Sequence, residues 1–216
     1  MEIFGRRIAT HDELRAHYRE PSDLVRRKKF GTLDGQFREF VELSPFCLVA
    51  TTDALGNTDV SPRGGPPGFV RVIDERHLLL PDLSGNNLLD SLSNVIDTPS
   101  IGLLFLVPGE DETVRVNGRA CVTVDPDLLS AWDTELRRPK AAIGIEVVEV
   151  FHHCAKAFRR SGMWQPDSWA APGVAPDFCA TYNERFGLEI EPRQLREMLE
   201  QGYATDLAEE RTTGSD

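Results

Sequence analysis

From Phe46 to Phe151 the chain reads as a series of short strands broken by tight polar turns, with no regular alternation of strand and helix. Phe46 to Thr52 is apolar and β-branched. Asp53-Ala54-Leu55-Gly56-Asn57 turns it, and Thr58 to Pro62 leads out, so a hairpin is expected here. Phe69 to Ile73 reads as another strand, which Asp74-Glu75-Arg76 turns into His77 to Pro81. Ile101 to Val107 is wholly apolar and suits a central strand. Glu112 to Val124 alternates, with Val114, Val116 and Val122 on one side, and Ile143 to Phe151 is the last strand. A doubly wound parallel sheet needs repeated βαβ units, and a dinucleotide site of that kind needs GxGxxG after a strand; the chain has neither. The fold class expected is mainly β: a small antiparallel β-barrel with added helices.

The helices fall chiefly at the ends. Thr10-His11-Asp12-Glu13 offers a cap, Pro21-Ser22-Asp23 reopens a helix, and Leu33 to Leu43 places Phe37, Phe40 and Val41 at helical spacing. Within the strand region, Leu88 to Val95 is expected as a short helix with Leu88, Leu92 and Val95 on one face, and Leu128 to Leu136 as another. A helical segment around Lys156 to Arg160, a Trp/Pro-rich loop from Trp164 to Pro176 and a helix from Pro192 to Leu207 follow. The expected plan is a helical arm over 1–43, a barrel core over 44–165, a C-terminal loop and helical arm over 166–208, and a disordered tail over 209–216.

Charge narrows the partners. The formal net charge is -11, so nucleic acid and anionic lipid are repelled in general, and neither is expected as a partner. An anionic small molecule needs a local pocket where Arg, Lys and backbone N–H groups gather. No run approaches the roughly 20 apolar residues of a membrane span, and MEIFGRRIATHDELR lacks the apolar stretch of a secretory signal, so a cytoplasmic location is expected. Cys47, Cys121, Cys154 and Cys179 form no CxxC pair; Cys47 and Cys121 lie in apolar strand-like runs, where free cysteine behaves as a small hydrophobe.

Four clusters could carry chemistry. In Ser61-Pro62-Arg63-Gly64-Gly65-Pro66-Pro67-Gly68, paired glycines let backbone approach a ligand while the guanidinium grips a phosphate; a Pro/Gly turn with a surface arginine fits the same residues. Pro81-Asp82-Leu83-Ser84-Gly85-Asn86-Asn87 runs into a helix start, which reads as a phosphate cradle or simply as a capped helix. Arg115, Asn117 and Arg119 share one strand face opposite Val114, Val116 and Ala120, lining a pocket or facing water. His152-His153-Cys154 raises a metal, but successive strand residues point to opposite faces and no second cluster completes a ligand set, so no metal is expected. Lys156, Arg159 and Arg160 make the same stretch basic. No GxSxG or HExxH occurs.

Taken in order, SPRGGPPGFVRVIDERHLLLPDLSGNNLLDSLSNVIDTPSIGLLFLVPGEDETVRVNGRA resembles the FMN-binding core of pyridoxamine 5'-phosphate oxidase-like flavoproteins, and is most similar to the PPOX-type, PNPOx-related branch. Ser44-Pro45-Phe46 upstream and HHCAKAFRRSGMW downstream extend the resemblance over most of residues 10 to 165. It implies an FMN-binding split β-barrel with helical N- and C-terminal arms, a homodimer with FMN at the subunit interface, and an FMN-dependent oxidoreductase of unknown small-molecule substrate with a possible nicotinamide donor. A non-catalytic flavin-binding or sensing module and a split-barrel haem protein using His152 or His153 are the alternatives. By the resemblance, Arg63 and Gly64 meet the phosphate or ribityl chain, and Leu80, Pro81 and Asp82 give backbone contacts to the ring edge. Asn86, Asn87 and Ser91 form the phosphate turn, Glu112 and Thr113 approach the flavin from the partner, and Lys156 and Arg160 contribute across the interface. The branch carries Arg after GNN and an acidic residue after SPRG, where this chain has Leu88 and Gly65; it also lacks the Arg-rich C-terminal segment of the true oxidases.

Overall fold

The computed structural model describes residues 2–171 and 173–211. An N-terminal arm holds three short helices, α1 (His11–Ala16), α2 (Asp23–Arg27) and α3 (Gly35–Leu43). Thr10 caps α1 through its side chain while Glu13 reaches back to the cap backbone, a reciprocal capping box. Seven strands follow: β1 (Phe46–Thr52), β2 (Thr58–Gly64), β3 (Arg71–Val72), β4 (His77–Pro81), β5 (Ser100–Leu106), β6 (Thr113–Thr123) and β7 (Ala142–His153). All pair antiparallel in one sheet, in the order β2-β1-β5-β6-β7-β4-β3. The fold is mainly β, a split barrel with added helices.

The β1–β2 hairpin closes because Asp53 acts as a template. Its carboxylate accepts the Leu55 and Asn57 backbone N–H groups, both at 2.8 Å, and Gly56 supplies the positive φ. The long strands β6 and β7 curl the sheet. Residues 114–119 of β6 pair with β5, whereas the opposite end of the ladder passes to β4 through residues 142–146 of β7. A bulge opposite Asn117 and Gly118 makes the turn sharper. A Cβ on Gly118 would stand 2.3 Å from the Glu146 carbonyl oxygen, so the close approach requires glycine.

The curl encloses the main core, with Cys47, Val49, Leu78, Leu80, Leu103, Phe105, Val116, Ile145 and Val147 all buried. Outside it, Trp132 anchors a smaller cluster with Leu79, Leu129, Leu136 and Ala142.

Several expected elements shift. The strand expected over Phe69 to Ile73 shrinks to Arg71–Val72, because the Phe69 backbone N–H closes a turn onto Pro66 and its carbonyl accepts the Trp132 indole. The helix expected from Leu88 starts at Asp90 as α4 (Asp90–Asp97), since Asn87 and Leu89 are left-handed; Leu88 is 67% exposed, off the buried face of Leu92 and Val95. The helix expected from Leu128 to Leu136 is α5 (Pro126–Leu129) running into a 3-10 turn at Ser130–Trp132. α6 (Lys156–Ser161) lies where expected. The C-terminal arm contains an unforeseen helix, α7 (Phe178–Phe186), and α8 (Pro192–Glu210) runs past Leu207 into the segment expected as disordered. Residues 212–216 of that segment lie outside the described residues.

Candidate functional site

The two ends of the sheet approach each other near the C-terminal ends of β2 and β4. There they leave a cleft of about 380 Å³ lined by β2, the loop after β4 and the first turn of α4. On β2, alternate residues are exposed and half-buried, which puts Asp59, Ser61 and Arg63 on the cleft side. Asp82, Asn86 and Asn87 line the facing loop, and Ser91 closes the cleft from α4. Gly64 follows Arg63 at the end of β2. Leu80 and Pro81, at the end of β4, are buried and do not line the cleft, which begins at the following Asp82.

Arg63 is the cation of this cleft. Its Nε is buried and has no hydrogen-bond partner, and the nearest carboxylate oxygen, on Asp82, is 4.0 Å from Nη1. Burial pushes the Asp82 carboxyl above its ordinary range, with Arg63 and Lys140 pulling the other way. The loop is held by local bonds: Asn86 Oδ1 accepts the Leu88 N–H at 3.0 Å, and left-handed Asn87 and Leu89 turn the chain into α4. No side chain caps α4, so the donors of its first turn are left to the cleft. Ser91 is 1% exposed, donates to Asp59 Oδ2 at 3.2 Å and lies 3.1 Å from the Ser61 hydroxyl. Any ligand group must compete with Asp59 for that hydroxyl. Asp59 and Asp90 are not singled out in the sequence, and Ser61 only as the head of the Ser61–Gly68 cluster, with no role of its own. The period of two along β2, counted back from Arg63, puts Ser61 and Asp59 on the same face.

Glu112, Thr113, Lys156 and Arg160 are not brought to this cleft within one chain. Thr113 is 4% exposed and faces His153 in the β6–β7 ladder; β1 and β5 separate its strand from β2. Glu112 precedes it, and Lys156 and Arg160 are exposed on α6, beside Arg159, which binds Asp111 at 2.8 Å. His152 and His153 lie on successive residues of β7, and the His153 ring packs on Phe151 at 4.9 Å. Among the described residues no group of three His, Cys, Asp or Glu side chains is placed to hold a metal ion, and no helix is long and apolar enough to cross a membrane.

The family model for pyridoxamine 5'-phosphate oxidase matches residues 33–154, more than half of the chain. The chain belongs to that family. Its match begins at buried Leu33, just before α3, takes in all seven strands and ends just past β7. No curated protein matches the sequence. Among solved structures, a HupZ variant from Group A Streptococcus is similar at 18% identity over 56% of this chain and 99% of its own, with a TM-score of 0.48. A provisionally assigned pyridoxamine 5'-phosphate oxidase from Lactobacillus delbrueckii is 25% identical over 57% of this chain and 98% of its own, with a TM-score of 0.45. A pyridoxamine 5'-phosphate oxidase-related, FMN-binding protein from Nostoc punctiforme is 12% identical over 50% of this chain and 73% of its own, with a TM-score of 0.37.

Proposed function

We propose that this member of the pyridoxamine 5'-phosphate oxidase family is a cytoplasmic, homodimeric FMN-binding flavoprotein that acts as an FMN-dependent oxidoreductase on a small molecule. One observation carries the reading: Arg63 lines the cleft where the ends of the sheet meet, with its buried Nε unpartnered and its nearest carboxylate, Asp82, 4.0 Å from Nη1. A guanidinium left so loosely paired in a cleft favours an anionic ligand that brings acceptors to it. A phosphate oxygen is such an acceptor, and the cofactor's phosphate fits the end of the cleft that Arg63 commands.

In this reading Arg63 holds the phosphate, helped by the uncapped first turn of α4 and the backbone around Asn87. Leu80, Pro81 and Asp82 position the ring edge through their backbone, and the buried side chains of Leu80 and Pro81 keep that edge rigid. Glu112, Thr113, Lys156 and Arg160 serve the site of the partner subunit, which accounts for their distance from the cleft of their own chain. Asp59, Asp82 and Asp90 oppose the phosphate charge, so Arg63 carries most of the anchoring. The bound flavin supplies hydride exchange at its ring; the protein orients it and excludes water.

The absorption spectrum of protein purified with its cofactor tests the reading. A flavin spectrum that bleaches with NADH or NADPH and returns in air is expected. A flavin that neither donor reduces points to a binding protein without turnover, and a Soret band points to haem.

A further inference from the structure

A second charged centre lies away from the cleft, on the N-terminal half of β6 and the end of β7. Phe30 exchanges backbone hydrogen bonds with Val150, at 2.9 and 2.8 Å, and so pins the preceding basic run against β7. Lys28 Nζ then stands 4.8 Å, Lys29 Nζ 5.5 Å and Arg115 Cζ 4.2 Å from the centre of the buried Phe151 ring. Among the described residues one carboxylate balances them: Glu149 takes Lys29 at 2.8 Å and Arg115 at 3.4 Å, and also accepts from Asn117 at 3.1 Å. Lys28 spends its ammonium on the His152 carbonyl oxygen, and the Arg115 Nε is buried with no hydrogen-bond partner.

Such crowding is unusual in a chain with 35 acidic and 24 basic residues, where carboxylates are plentiful. Like charges brought together repel unless an anion joins them, and the face of Phe151 offsets only part of that repulsion. The neighbouring His153 registers the same field. Its pKa is held below the ordinary value by burial first, then by Arg115, Lys28 and His152.

We propose that Lys28, Arg115 and His153 form an oxyanion site, separate from the Arg63 cleft, that takes the phosphate or pyrophosphate group of a small ligand. The cluster is too small, and the chain as a whole too acidic, for a nucleic-acid backbone.

The test is calorimetric titration of the flavin-free chain with sodium pyrophosphate at low salt, where such contacts are least screened. Binding of about one pyrophosphate per chain is expected. Lys28→Gln is expected to weaken it about fivefold or more, through loss of one charge-assisted contact. Glu149→Gln removes the competing carboxylate and is expected to tighten it, whereas a purely structural Glu149 would give the opposite sign. Arg63→Ala is expected to leave it unchanged. ADP binding tighter than pyrophosphate, with adenosine silent, assigns the site to a nucleotide; equal affinities assign it to the oxyanion alone. No binding, or binding lost in Arg63→Ala and kept in Lys28→Gln, overturns the proposal while leaving the cleft reading standing.

Discussion

At the residue scale, two positions decide how strongly the cleft can hold an anion. Leu88 sits exposed on the rim, its backbone fixed by Asn86 while its side chain contributes no charge. A guanidinium there adds a charge-assisted hydrogen bond worth about 1.5–3 kcal/mol. Leu88→Arg is therefore expected to tighten FMN by about tenfold to a hundredfold in a fluorescence titration; an unchanged constant would place the phosphate away from this rim. Gly65 has a different cause. A Cβ there would stand 2.6 Å from the Phe69 Cβ, so an acidic side chain cannot enter without moving the turn. Gly65 lets the connection after β2 fold tightly against Phe69.

At the element scale, that connection is held by a bond from outside the barrel. The fully buried Trp132 donates its indole N–H to the Phe69 carbonyl at 2.8 Å, joining the α5 segment to the end of the cleft-forming β2 turn. Trp132→Phe keeps most of the apolar volume but orphans the carbonyl, and is expected to cost about 1–3 kcal/mol in urea unfolding. A loss below about 0.5 kcal/mol would show that water replaces the indole. Apart from β3, the strands were legible because their apolar runs and turn residues are local signals: Asp53 with Gly56, and the alternation of Val114 and Val116, need no tertiary partner to be read. The turn around Phe69 was not legible, since its fate depends on Trp132, 63 residues away. The late start of α4 was hidden for a related reason. Leu89 adopts φ 61, a conformation that leucine avoids unless its surroundings impose it. At the site, the order of motifs pointed to Arg63 and the Asn86–Asn87 turn, but no pattern announced that Ser91 is already engaged by Asp59.

At the whole-molecule scale, the candidate residues fall into two groups on different parts of one curled sheet: the Arg63 cleft, and the β6 start with α6. A homodimer that sets one group against the other chain's cleft uses both. Sedimentation is expected to give twice the 24.1 kDa chain mass, with one flavin per chain; a monomer retaining full flavin would show that the second group is not required. The most direct measurement is the FMN dissociation constant of Arg63→Ala beside that of the unaltered chain, with the unfolding transition recorded for both. The expected result is binding weaker by about tenfold or more in a protein that unfolds at the same denaturant concentration. Equal affinity in the two proteins would contradict the placement of the cofactor phosphate at Arg63.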